Sequence, residues 1–173
     1  MQVDSKDTSL RRFAAPLAAA ALALTVTAAA HAEQSLTIEK KTLSLAAARK
    51  IVAAAEAEAS ARGLGVVIVV VDDAGNIVEL TRMDAAQVAS VNVGIGKART
   101  AAIYRRPSRD FEEQIRNGRV AALALADATP LQGGLPVLID GRVVGAVGVS
   151  GDTPQVDEDI ALAGVRAIAP HSR

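Results

Sequence analysis

The stretch that most limits how this chain can fold is PVLIDGRVVGAVGVSG, in which Asp140-Gly141 separates two apolar runs. A two-residue Asp-Gly link takes positive φ at both positions and matches the twist of paired strands, so it specifies a hairpin. VVIVVVDDAGNIVELTR makes the same demand earlier in the chain. Its first run does not alternate with polar residues and reads as a strand buried on both faces. DDAGN then turns the chain, with Gly75 or Asn76 free to take positive φ, and IVELTR returns as a second strand. Strands joined by tight turns must be antiparallel.

Helical patterns separate and flank these hairpins. Ser44 is placed to cap a helix through LAAARKIVAAAEAEASAR, where Leu45, Ala48, Ile51, Val52 and Ala55 form one buried stripe and Gly63 ends it. The polar entry EQSLTIEKKTLSL leaves room for a short first strand. A second helix is predicted from Val88 to Tyr104, stopped by Pro107. Ser108 can cap a short third one, RDFEEQIR, and Thr153-Pro154 has the N-cap and N1 pattern of a last helix, QVDEDIALAGVRAI. Helix, hairpin, helices, hairpin, helix is an α+β order, with helices packed on a largely antiparallel sheet.

The first 32 residues read as an export signal. Arg11 and Arg12 precede the apolar run FAAPLAAAALALTVTAAA, which ends at Ala30-His31-Ala32. Its small residues and Pro16, with no stop-transfer pattern after it, predict cleavage and no membrane span. The expected product is a single domain over 33–173, periplasmic or secreted. The chain has 19 basic and 19 acidic side chains, so bulk charge predicts neither nucleic acid nor anionic lipid as partner. Beyond the signal only Tyr104 and Phe111 are aromatic, too few for a base-stacking platform. The absence of cysteine rules out disulfides, thiolate metal sites, iron–sulfur clusters and thioether-linked haem. Of two histidines, His31 leaves with the signal, and His171 lies three residues from the C-terminus.

Several motifs fail on inspection. Gly94-Ile95-Gly96-Lys97 is not a phosphate loop, because Val91 and Ala98 stand where a glycine and a hydroxyl residue are needed. Gly148-Val149-Ser150-Gly151 lacks the final glycine of a nucleophile elbow, having Asp152 there. No catalytic residue is assigned. Asp157, Glu158 and Asp159 suit the positive end of a helix better than a hard cation. Glu112 has Arg116 four residues on, in the favourable order for a solvated pair.

GKARTAAIYRRPSRDFEEQ carries more. At 100° per residue, Lys97, Thr100 and Tyr104 fall on one helical face, while Gly94, Gly96 and several alanines keep other directions thin. The thin face suits close packing on the sheet, a subunit contact or a flat ligand. The polar stripe beside Arg105, Arg106 and Phe111 suits an apolar ligand bearing carboxylates. Gln132-Gly133-Gly134-Leu135-Pro136 is either a strand entry or a bend offering free amides to a ligand.

LSLAAARKIVAAAEAEA, VVDDAGNIVELTRMDAA, GKARTAAIYRRPS and TPLQGGLPVLIDGRVVGAVGVSG, followed by DED before ALAG, occur here in one order. In that order and spacing the chain resembles the haem-binding GlcG-like proteins, also called the HbpS-like family, from about Leu43 to Ile168. The resemblance implies a five-stranded antiparallel sheet flanked by helices, of profilin-like type, and assembly into homo-oligomers. It implies non-covalent haem binding, paired in one member with extracellular redox sensing; other members accompany glycolate-utilisation or corrinoid-related genes. In some relatives a histidine binds the iron and in others a threonine is implicated. Carried onto this chain, the iron-facing candidates are Thr100 and Tyr104, with Lys97 and Arg105 toward the propionates and Phe111 against the ring. Phenolate is the better ferric ligand of the two.

The resulting expectation is an exported haem or tetrapyrrole binder for scavenging, buffering or redox sensing. One rival is an enzyme or accessory protein binding a small organic acid such as glycolate, with Lys97 and the amides of Gly133 and Gly134 as its anion site. Another is an assembly module whose glycine-rich helix is a subunit interface.

Overall fold

The computed structural model describes residues 35–168, and the compact unit beginning at Glu39 carries every element below. The export signal and His171 lie outside the described residues. The order is α1 (Leu45–Ala61), β1 (Val67–Asp72), β2 (Ile77–Arg82), α2 (Ser90–Ile103), α3 (Arg109–Arg116), a 3₁₀ turn (Val120–Ala124), β3 (Gly134–Ile139), β4 (Arg142–Ser150) and α4 (Pro154–Arg166).

The strands form one antiparallel sheet in the order β2-β1-β4-β3. Both hairpins form as their turns dictate. Asp140 and Gly141 take φ of 51° and 71°, and Asp72 organises the other turn by accepting from the backbone N–H groups of Ala74 and Asn76. Partial desolvation works against that carboxylate, yet the Asn76 side-chain amide and these two N–H groups hold its pKa below the usual range.

The described residues contain four strands, not the five that the family resemblance implies. The segment before α1 makes one ladder-like bond, Leu43 N–H to Val144 O at 3.0 Å, where β4 projects past the end of β1. Ser44 then caps α1 through the Ala47 N–H, and the chain leaves the sheet before a strand can propagate.

Alternation in β1 builds two cores. Val66, Ile68 and Val70 meet Ile51, Ala55 and Ile160 of α1 and α4 on one face. Val67, Val69 and Val71 meet Ala98, Ala101 and Ala102 of α2 on the other. Each such aliphatic, buried on folding, contributes roughly 1.5–3 kcal/mol, which is why this strand carries no polar alternation. The small residues of α2 serve this packing: a Cβ on Gly94 would stand 3.3 Å from Val69 Cγ2, and one on Gly148 of β4 would stand 2.5 Å from Ala98 N.

Candidate functional site

Close seating of α2 carries Lys97 inward. Its Nζ donates to Asp157 Oδ2 at 2.6 Å and to Val149 O at 3.1 Å, and the two side chains are only 3% and 2% exposed. Asp157 Oδ1 accepts from the Asp152 N–H at 3.0 Å. Burial nevertheless pushes the Asp157 carboxyl pKa up, against the opposing Lys97 hydrogen bond and charge. The placement of Lys97 toward a ligand propionate therefore gives way to a buried ion pair. Beside it, Glu158 Oε1 accepts from Arg109 Nη1 at 2.5 Å, while Glu158 Oε2 is buried with no hydrogen-bond partner among the described residues.

Gly133 and Gly134 join the same cluster, as structural parts. Gly133 takes φ of 120°, and a Cβ there would stand 2.9 Å from Lys97 Nζ, Asp157 Cβ and Val149 O alike. Its carbonyl accepts from the Val149 N–H. The Gly134 amide, expected to be free for a ligand, donates to Ser108 Oγ at 2.8 Å, and that hydroxyl donates to Leu131 O at 2.6 Å. Ser108 thus clips the β3 entry to the start of α3 instead of making the side-chain cap expected of it.

Thr100 is fully buried. Its hydroxyl donates to Gly96 O at 2.7 Å and accepts from the Thr129 N–H at 2.7 Å. A hydroxyl so enclosed and engaged does not fit an iron ligand, so the assignment of Thr100 to metal is withdrawn.

Tyr104 stands apart from these two groups, half-buried at the end of α2. Its hydroxyl donates to Ala126 O at 2.7 Å, and its ring meets that of Phe111 edge-on, with centroids 5.0 Å apart. Phe111 is 3% exposed and backs the tyrosine, so it does not present a face to a ligand. Arg106, expected with Arg105 beside the polar stripe, lies with its guanidinium 5.6 Å from the Phe111 ring centre, while Arg105 is exposed. Both ends of the Tyr104–Ala126 link are followed by a non-glycine residue in the left-handed region, Arg105 and Asp127, each at φ 56°. Such conformations cost about 1–2 kcal/mol in ordinary residues and concentrate where geometry is imposed for function. Val120 and Leu123 in the adjoining 3₁₀ turn are 64% and 66% exposed.

The predicted face is thereby divided. Lys97, Gly133 and Gly134 close the β3–β4 end of the sheet, Thr100 braces the Thr129 loop, and Tyr104 with Arg105 and Arg106 remains at a surface. Reasoning from the sequence missed Asp157 as the partner of Lys97, since a pairing across sixty positions leaves no local spacing to read.

Four antiparallel strands with α1 and α4 on one face and α2 on the other define the class, an α+β sheet domain with helices on both sides. A family model described as haem degrading protein HbpS-like matches residues 43–166, and the chain belongs to that family. Protein GlcG of Escherichia coli strain K12 is 44% identical over 81 residues, a match spanning 47% of this chain and 60% of the relative. A double mutant of Streptomyces reticuli HbpS superposes with a TM-score of 0.73 at 28% identity, over 91% of this chain and 99% of that one. The PduOC:haem complex superposes with a TM-score of 0.68 at 25% identity, over 74% and 96%.

Proposed function

We propose that this protein binds haem, or a similar planar tetrapyrrole, without covalent attachment, and that it does so at the Tyr104 corner. The observation carrying the reading is the corner itself: a half-buried phenol held by Ala126, two arginines, and exposed Val120 and Leu123 beside it. Membership of the HbpS-like family and likeness to a structure solved as a haem complex support the same ligand. The residues fit the group in kind, since an apolar ring needs aliphatic surface, its carboxylates need cations, and ferric iron accepts phenolate. Tyr104 would hold the iron and Arg105 and Arg106 the carboxylates, the phenol giving up its bond to Ala126 O. Haem, when bound, supplies a centre for redox chemistry. The chain's own part is to hold the macrocycle, consistent with scavenging, buffering or sensing. Export to the periplasm or medium and assembly into homo-oligomers complete the proposal, the latter offered apolar surface by Val120, Leu123 and Leu131.

The small-acid reading loses its cation, since Lys97 is spent on Asp157 and the Gly134 amide on Ser108. Gly96, central to the interface reading, faces Thr129 of its own chain. Titration of hemin into the purified protein tests the proposal. A saturable Soret band that shifts or weakens in Tyr104→Phe supports it, and the lack of any saturable band refutes it.

A further inference from the structure

We infer that the open cavity at the start of α1 is a second ligand site, built for a monocarboxylate with an extended apolar body. Its volume is about 570 Å³, within the roughly 300–1,000 Å³ typical of small-molecule sites. It lies where β4 and the Asp140-Gly141 turn project beyond the end of β1, and the chain before α1 meets them through the Leu43–Val144 bond and the Lys41–Asp140 pair. No strand of the sheet closes the gap so formed. Leu43, Ala47, Ile139 and Val144 give it apolar walls, and Lys41 and Lys50 line it with them.

Both charged residues that line this cavity are lysines. None of its lining residues is acidic. Lys50 has no carboxylate within ion-pair distance among the described residues, and the partner of Lys41 is Asp140, a pair exposed by 63% and 68%. Exposed pairs of that kind hold a lysine weakly and release it readily to another anion. In the first turn of α1, Ser44 takes up the N–H groups of Ala47 and Ala48, leaving those of Leu45 and Ala46 without an acceptor among the described residues. Two ammonium groups, the free Ala46 amide at the positive end of a 17-residue helix and an apolar interior together select a carboxylate head with a hydrocarbon tail. The site does not depend on the haem reading and shares no residue with the Tyr104 corner.

Calorimetric titration of the purified protein with decanoate tests the assignment, with circular dichroism to confirm that each variant is folded. Saturable one-to-one binding is expected. Lys50→Glu, an exposed change on α1, should weaken it at least about tenfold. Ala47→Leu, which extends into the cavity, should abolish it, and the hemin titration should be the same in both variants. Decanoate affinity unchanged in both variants overturns the site. So does loss of the hemin band in Ala47→Leu, which would make the cavity the seat of the tetrapyrrole. Decanoate binding seen only in a chain stopped after Ile168 would give the cavity to residues 169–173 and overturn the assignment as well.

Discussion

Lys97 Nζ meets Asp157 Oδ2 at 2.6 Å inside the protein, joining a helix on one face of the sheet to a helix on the other. Removing one charge strands its partner, which in buried pairs costs about 3–5 kcal/mol, whereas replacing both with apolar groups is often neutral. Lys97→Met and Asp157→Leu should each lower the urea midpoint strongly, and the double variant should regain most of the loss. Additive losses would show that the pair is not a unit.

Gly133 has a backbone conformation that side chains rarely adopt, and no room for one. Gly133→Ala should cost about 1–3 kcal/mol for the conformation alone, with displacement of Lys97 or Asp157 added to it. Denaturant unfolding measures this directly, and a loss below half a kilocalorie would contradict the geometry.

Thr100 and Tyr104 should separate stability from binding. Thr100→Val leaves the part-buried Thr129 N–H without its acceptor, a loss of about 1 kcal/mol or more, and should leave the hemin band in place. Tyr104→Phe should alter that band, while its half-buried hydroxyl contributes little to the unfolding midpoint. The opposite pattern would move the iron contact to Thr100.

Asp72 provides a pH test. Its folded pKa lies below the ordinary 3.8, so the folded state binds its proton less readily than the unfolded one. The stability it contributes is complete above that ordinary value and is lost as pH falls through the depressed one. The stability gap between the parent and Asp72→Ala should therefore be constant near neutrality and narrow below about pH 3.8. A gap that widens on acidification would reverse the sign.

Local chemistry was readable in the sequence wherever neighbouring residues decide the outcome. Asp140-Gly141 sets its own turn, Ser44 and Thr153 cap their helices, and Gly63 ends α1 at φ 68°. The short third helix was found for a partly wrong reason, because Ser108 spends its hydroxyl on Leu131 and Gly134. Helical angle placed Lys97, Thr100 and Tyr104 on one face correctly. It could not tell that this face meets three different surroundings along its length: the sheet end, the Thr129 loop and the surface. Those neighbours come from segments twenty to sixty residues away.

The pairing of β1 with β4, from Val67 opposite Ser150 to Asp72 opposite Gly145, has a consequence for how the chain comes together. The two middle strands are contributed by segments about seventy residues apart, so the centre of the sheet forms only after β4, with α4 alone still to follow. Until Ser150 has been made, β1 carries one bare edge, a template for any other extended chain nearby. Joining segments so far apart also slows folding, because the loop between them must be ordered first. A growing chain of this design stays open until β4 has been made and then closes from the middle.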